Sequence, residues 1–180
     1  MSRRLACLLL PLTLLLCLCG CSRMGKKAVQ EPVTTNFSCD VDVQYGDMTV
    51  KGHLTRSTAG TLCLEITEPA TLNGMTMDWN GTDVSIKLHG LTFRVDPETL
   101  PQGALGKGLL NALDAALGIK DGQLTETGWS TKGEVGGNAF EIFSDPQSGK
   151  MLSVSIPSMQ LKATFSNVVT QAEAANAAAQ

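Results

Sequence analysis

Strict alternation of apolar and polar residues is the feature that most limits how this 180-residue chain can fold. From Phe37 to Tyr45 every second residue is apolar or aromatic, and Ser, Asp and Gln lie between them. Successive side chains of a strand point to opposite faces, so the pattern predicts a strand with one buried face. The same period recurs, interrupted by turns, as far as Val95. The first half therefore predicts an antiparallel meander of about six strands with one apolar face.

Turn residues separate the predicted strands in both halves of the chain. Asn80-Gly81 is a strong hairpin signal, and Pro69 ends the strand before it because proline cannot donate to a ladder. Beyond Asp121-Gly122 we expect one long or broken strand over Leu124–Val135. Three further strands lie around Phe140, Val154 and Ala163, which gives about ten strands in all.

The period changes between the two halves. Leu105, Leu109, Leu113 and Leu117 are four residues apart, which predicts one amphipathic helix near 103–118. Its leucine stripe is the natural cover for the apolar face of the sheet.

The N-terminus has the order of a bacterial lipoprotein signal. Arg3 and Arg4 precede an apolar run of about 14 residues, shorter than the roughly 20 that span a bilayer. The run ends in Leu18-Cys19-Gly20-Cys21, which resembles a lipobox. That resemblance implies a signal peptide over 1–20, lipidation of Cys21, and a flexible tether over 21–35. An ordinary signal peptide or an N-terminal membrane anchor is the alternative.

The net charge argues against nucleic-acid binding, and the positions of the cysteines argue against a disulfide bridge. The chain has 14 basic and 17 acidic residues, and without Arg3 and Arg4 the 12 remaining basic residues leave a net charge of −5. Nucleic-acid binding needs a basic face, so we expect none. Past Cys21 the sequence has Cys39, on the predicted core side, and Cys63, on the opposite side. Opposite faces do not suit disulfide geometry, so we predict no bridge.

Residues 36–168 resemble the LolA/LolB-like superfamily of lipoprotein-sorting and lipid-carrying envelope proteins. The resemblance rests on the opening alternating strand, Glu68-Pro69, Leu72-Asn73-Gly74, the Asn80-Gly81 hairpin, the mid-chain helix, and the ending Ile156-Pro157 with Phe165–Val168. It implies an α+β fold: a strongly curved antiparallel sheet, an unclosed barrel, covered by one main helix. Residues 169–180 would be an alanine-rich tail.

The resemblance also implies an apolar cavity between helix and sheet that accepts acyl chains. Its expected lining is Val41, Val43, Val50, Leu54, Leu64, Ile66, Met75, Met77, Trp79, Ile86, Leu109 and Leu113. LolB has a protruding apolar loop, and Leu72 lies in the corresponding stretch, although a packed loop leucine is the favoured interpretation. Arg56 matches the family's early-strand arginine only loosely.

The sequence offers little chemistry for catalysis or metal binding. His53 and His89 stand without Cys or Asp at ligand spacing, and we expect both to be solvated. Gly103–Gly108 resembles a phosphate loop, but Gly108 stands where Ser or Thr would hold Mg²⁺. A flexible helix entry is the better interpretation. We predict no enzymatic activity, no cofactor and no metal.

Two functions remain open. The first is an extracytoplasmic lipoprotein that binds a lipid or acyl chain and is held at the cell membrane by acyl chains such as palmitate on Cys21. Ser22 would permit outer-membrane sorting in a cell with two membranes. The alternative is a LolA-like scaffold that serves as a protein-interaction module for an envelope or cell-wall enzyme, for example in sporulation or germination.

Overall fold

A computed structural model describes Thr34 and residues 36–100 and 104–178. The predicted signal peptide, Cys21 and all of the tether except Thr34 lie outside the described residues.

Eleven strands form one antiparallel sheet. They are β1 (Phe37–Tyr45), β2 (Met48–Arg56), β3 (Thr61–Glu68), β4 (Thr76–Asn80), β5 (Val84–Leu88), β6 (Leu91–Val95), β7 (Gln123–Thr125), β8 (Gly128–Val135), β9 (Asn138–Ser144), β10 (Met151–Ile156) and β11 (Leu161–Thr170). Their order is β6-β5-β4-β3-β2-β1-β11-β10-β9-β8-β7. Two meanders, β1–β6 and β7–β11, are therefore joined where β1 pairs with β11, for example at Val41 and Phe165.

Helix α1 (Leu105–Ala116) connects the two meanders and packs against β3, β8 and β10. In the sheet β3 and β8 are six strands apart, a distance of about 29 Å if the sheet were flat. A helix is only about 10–12 Å across, so the sheet must curve around α1 to touch it on both sides. The edge strands β6 and β7 do not pair with each other. This confirms the predicted α+β fold, an unclosed barrel with one main covering helix.

One predicted element is divided in the structure. The stretch Leu124–Val135, predicted as one long or broken strand, is broken and forms the hairpin β7–β8, which accounts for eleven strands instead of about ten. The Thr125 hydroxyl donates to the Gly128 carbonyl at 2.8 Å and closes the turn. Gly128 has a φ of +138°, a conformation that favours glycine.

The covering face of α1 is the predicted leucine stripe, with two differences. Leu109, Ala112 and Leu113 are fully buried, whereas Leu105 is half-buried and Leu117 is 45% exposed. Leu117 is exposed because it lies one residue past the end of the helix.

Cys39 and Cys63 are both free thiols, as predicted. Cys39 belongs to the core, and burial, helped by the Asp40 carboxylate, raises the pKa of its thiol to about 12.

The C-terminal strand is followed by a short helix, α2 (Gln171–Ala178). Thr170 and Glu173 form a reciprocal capping box: the Glu173 carboxylate accepts from the Thr170 N–H at 2.8 Å, and the Thr170 hydroxyl accepts from the Glu173 N–H at 3.2 Å. Lys150 approaches the same carboxylate at 2.7 Å. Among the helices in the described ranges, neither has the length and hydropathy needed to cross a membrane.

Candidate functional site

Burial decreases steadily across the inner face of the sheet, from the strands under α1 to the edge at β6. Leu64, Met77, Ile86 and Phe93 are successive cross-strand partners on β3, β4, β5 and β6. Leu64 is fully buried, Met77 and Ile86 are half-buried, and Phe93 is 54% exposed. The face is apolar along the whole row, but none of the described residues covers its last part.

The neighbouring pairs extend the same uncovered surface. Leu88 and Leu91 are cross-strand partners beside the β5–β6 turn, and Leu91 is 62% exposed. Met75, half-buried, lies just before β4 on the same side. We call this surface the open wing; it consists of Met75, Met77, Ile86, Leu88, Leu91 and Phe93. An exposed contiguous apolar patch of this kind marks an interaction or ligand-binding site more often than an isolated exposed leucine does.

The N-terminal part of α1 closes the other end of this wing. Gly106 lies directly on the indole of Trp79, so close that a Cβ at residue 106 would come within 1.8 Å of the ring. Trp79 is accordingly 3% exposed, and its cross-strand partners Leu62 and Val84 are fully buried. The open wing thus begins where the helix ends its contact with β4.

The twelve residues predicted to line a cavity divide into two groups. Met75, Met77 and Ile86 belong to the open wing. The other nine are buried in the core with 0–3% exposure: Val41, Val43, Val50, Leu54, Leu64, Ile66, Trp79, Leu109 and Leu113.

Three surface clefts of about 130, 180 and 320 Å³ lie elsewhere on the described residues. Trp79 is the one residue of the predicted set in their walls. The acyl cavity therefore stays a prediction.

Sequence reasoning missed Leu88, Leu91 and Phe93. Their alternation placed Leu91 and Phe93 on the apolar face, and the pattern alone carries no information on what covers that face. The available signal was positional: β6 is the last strand of the first meander, and a helix over the predicted residues 103–118 would reach only about 24 Å.

The opposite edge of the barrel also presents an apolar side chain. Leu124 on β7 is 57% exposed and pairs with Trp129 on β8, which in turn pairs with Ser144 on β9. Because the sheet curves around α1, β6 and β7 border one opening. The two sides of that opening differ. Across the strands from Leu124 the cross-strand partners become polar, with the Trp129 indole N–H and then Ser144, whereas the open wing is wholly apolar.

Arg56 connects the sheet to the helix. Its guanidinium is fully buried and forms an ion pair with Asp114 of α1. The other Asp114 oxygen accepts from the backbone N–H of Gly60 at 2.9 Å. Asp114 thus holds α1 to the end of β2 and to the β2–β3 turn.

The Leu72 loop does not protrude as an apolar tip. Leu72 is half-buried and packs against the core, which agrees with the favoured interpretation of a packed loop leucine.

His53 is not isolated, which corrects the expectation that it lacks an Asp partner. Its Nδ1 lies 3.1 Å from Asp40, which also accepts from the Asn167 amide at 2.7 Å. Hydrogen bonds from Asn167 first and from His53 second hold the pKa of Asp40 below its usual value. The cluster is exposed on the outer face of the sheet. The pattern missed it because Asp40 and His53 meet only through the β1–β2 register.

The glycine run at the start of α1 has a packing role. Gly106 lies on Trp79, and Gly108 lies on Met159, so neither glycine forms an open loop around a ligand. His89 is exposed at the β5–β6 turn. Within the described residues, no group of three or more His, Cys, Asp or Glu side chains could hold a metal ion.

Comparison with solved structures finds matches at low sequence identity. An uncharacterized conserved protein from Thermus thermophilus matches with a TM-score of 0.50 and 12% identity, over 80% of this chain and 83% of that one. A LolA superfamily protein from Nitrosomonas europaea matches with a TM-score of 0.33 and 14% identity, over 76% and 66% of the two chains. LprF from Mycobacterium bovis matches with a TM-score of 0.36 and 10% identity, over 74% and 85%.

At these identities the similarity concerns the fold. No protein-family model and no curated protein sequence matches the chain.

Proposed function

We propose that the protein is a cell-envelope lipoprotein that binds a lipid acyl chain on the open wing, in the opening between β6 and β7. The observation that carries the proposal is the decline in burial along Leu64, Met77, Ile86 and Phe93, because it leaves beside the helix a continuous apolar surface that no described residue covers. Lipidated Cys21 would hold the domain at the membrane from which such a chain comes. In this proposal the domain binds its ligand without chemical conversion.

The energetics favour an acyl chain as the cover. Complete burial of a Leu or Phe side chain is worth about 1.5–3 kcal/mol. Leu91 and Phe93 are 62% and 54% exposed, so covering both gains roughly 2–3 kcal/mol. Each methylene that a ligand removes from water adds about 0.8 kcal/mol. The flexible methionines Met75 and Met77 suit chains of different length or unsaturation, because their thioethers adapt to irregular apolar surfaces.

Neighbouring residues of β6 provide a matched test. Phe93 points to the inner face and Thr92 to the outer face, and both are exposed, so the sheet can tolerate Asp at either position. Native mass spectrometry of protein purified without detergent should show bound lipid for the wild type and for Thr92→Asp. Phe93→Asp should weaken binding by about 10-fold or more, because the carboxylate loses hydration against an acyl chain.

A native mass spectrum of the wild type that shows only ligand-free protein would count against the proposal. Equal lipid occupancy in both variants would also count against it. In that case the interaction-module alternative gains support, with β6 as an apolar edge available to a protein partner.

Lipidation is tested separately from ligand binding. Metabolic labelling with a clickable palmitate analogue should mark the wild-type chain but not Cys21→Ser. Labelling of both chains would contradict the assignment of Cys21.

A further inference from the structure

The β7 side of the opening contains three polar atoms that the fold itself does not satisfy. Trp129 Nε1, Thr131 Oγ1 and Ser144 Oγ are buried and have no hydrogen-bond partner among the described residues. Thr131 and Ser144 are each 1% exposed. A buried polar group without a partner destabilises the fold, and such groups are few in native proteins. Three of them at one place require an explanation.

The strand register brings these atoms together. Trp129 of β8 is the direct cross-strand partner of Ser144 of β9, and Thr131 pairs with Ile142, two residues from Ser144. Directly opposed residues have Cβ atoms about 4.5–5.5 Å apart, and diagonal neighbours are about 7–8 Å apart. Ile142 belongs to the buried core, so all three side chains lie on the inner face. They form one polar spot within an apolar surface.

The spot lies close to the opening. Leu124, 57% exposed on the edge strand β7, pairs with Trp129. Gly122, in the connection from α1 to β7, lies directly over the indole nitrogen, where a Cβ would come within 2.1 Å. The α1–β7 connection therefore forms the roof of the spot, and Leu124 forms its outer rim.

Charged side chains of β8 and β9 face the other way. Lys132 and Glu141 approach each other at 3.4 Å on the outer face, where the Ser130 hydroxyl also donates to Glu141 at 2.5 Å. The inner spot thus offers two hydroxyls, which donate and accept, and one indole N–H, which donates. This set suits a neutral oxygen, such as an ester carbonyl or a hydroxyl, better than a carboxylate or phosphate that would be buried without a counter-charge.

The geometry points to a polar subsite at Trp129, Thr131 and Ser144 that binds the ester carbonyl or hydroxyl of a neutral amphiphile, such as a monoacylglycerol. This inference rests on the proposed function, because the acyl chain of the same ligand would occupy the open wing across the opening. It narrows the ligand from any acyl chain to one whose chain is joined to an uncharged polar group.

Two isosteric variants of the full chain test the subsite. Thr131→Val and Ser144→Ala each remove one unsatisfied hydroxyl. Diphenylhexatriene, a hydrocarbon dye without polar groups, reports the apolar site by direct fluorescence binding. Monooleoylglycerol is then measured by its displacement of the dye. The control is Ser130→Ala. Ser130 lies on β8 next to Thr131, but its hydroxyl already has a partner within the protein, Glu141.

Loss of one hydrogen bond corresponds to about a 2- to 10-fold change in affinity. The double variant should therefore bind monooleoylglycerol about 5- to 100-fold more weakly, while dye affinity stays within about 2-fold of the wild type. The thermal midpoint of the double variant should equal or exceed that of the wild type, because two unsatisfied groups are gone. Ser130→Ala should lower the midpoint and leave both affinities unchanged.

Unchanged monooleoylglycerol affinity in the double variant would overturn the subsite. A crystal structure in which buried water alone satisfies Thr131 and Ser144 with monooleoylglycerol bound elsewhere would overturn it equally. In both cases retained dye binding would leave the proposed acyl function standing. Failure of the wild type to bind either the dye or monooleoylglycerol would instead refute the proposed function itself.

Discussion

The contact between Gly106 and Trp79 sets how far α1 reaches over the sheet, and it can be tested by adding one methyl group. In Gly106→Ala the new Cβ would lie 1.8 Å from Cη2 and 2.2 Å from Cζ2 of the indole. Both distances are far below van der Waals contact. The ring is 3% exposed and packed between core residues, so it has little room to move aside.

The size of the effect follows from two opposing terms. Replacing glycine by alanine inside a helix normally stabilises it by about 1 kcal/mol. Overpacking a rigid core typically costs about 1–3 kcal/mol, and a clash this short belongs at the upper end. Gly106→Ala should therefore lower the free energy of unfolding by roughly 1–2 kcal/mol.

Gly108→Ala is the matched control on the same helix. Its Cβ would meet Met159, at 2.4 Å from Cε and 2.9 Å from Sδ. These atoms are the far end of a flexible side chain that can rotate away at low cost. Gly108→Ala should thus change stability by no more than about 1 kcal/mol, in the direction of the helix-propensity gain.

Urea unfolding of the wild type and both variants measures the difference. Gly106→Ala should be the least stable of the three. Gly106→Ala with stability equal to or above that of Gly108→Ala would refute the close contact of α1 with Trp79, and with it the boundary of the open wing.

Three further predictions concern other contacts. Lys150 first, and the Thr170 cap second, lower the pKa of Glu173 to about 2, so its stabilisation of α2 should persist above its usual pKa of 4.5 and disappear as the pH falls from 4.5 towards 2. Amide protection over 171–178, relative to the intrinsic exchange rate at each pH, should fall in that window in the wild type but not in Glu173→Gln. Asp114→Asn should lower the free energy of unfolding by about 2–3 kcal/mol, because buried Arg56 loses its anionic partner on α1; a loss below about 0.5 kcal/mol in urea unfolding would contradict this. With the pKa of its thiol raised to about 12, native Cys39 should resist iodoacetamide in peptide mapping, and label there before unfolding would contradict its burial.

Local periodicity predicted the strands well because every second residue of a half-buried strand is apolar. The stretch Phe37–Tyr45 forms β1 over the same residues, and the predicted helix near 103–118 forms over Leu105–Ala116. The hairpin within Leu124–Val135 was harder to predict, because its turn depends on Gly128 at positive φ and on one side-chain hydrogen bond. Neither leaves a repeating pattern.

The candidate site depends on which parts of the apolar face the helix covers, and this is a tertiary property. Alternation placed Met77 and Phe93 on one face but could not show that burial ends between them. The unsatisfied hydroxyls of Thr131 and Ser144 were equally hidden, since Ser and Thr side chains are mostly exposed in folded proteins. Arg56 lies on β2 and Asp114 lies on α1, so their ion pair cannot be recognised from the sequence alone.

Photocrosslinking with a diazirine-bearing fatty acyl probe tests the central claim most directly. The probe would be bound to the wild-type protein in solution, irradiated, and its adducts located by peptide sequencing. We expect adducts on inner-face residues of the open wing, chiefly Met77, Ile86 and Phe93, and competition by an unlabelled acyl ligand. Adducts confined to outer-face residues such as Thr92, or adducts that no ligand competes away, would contradict it.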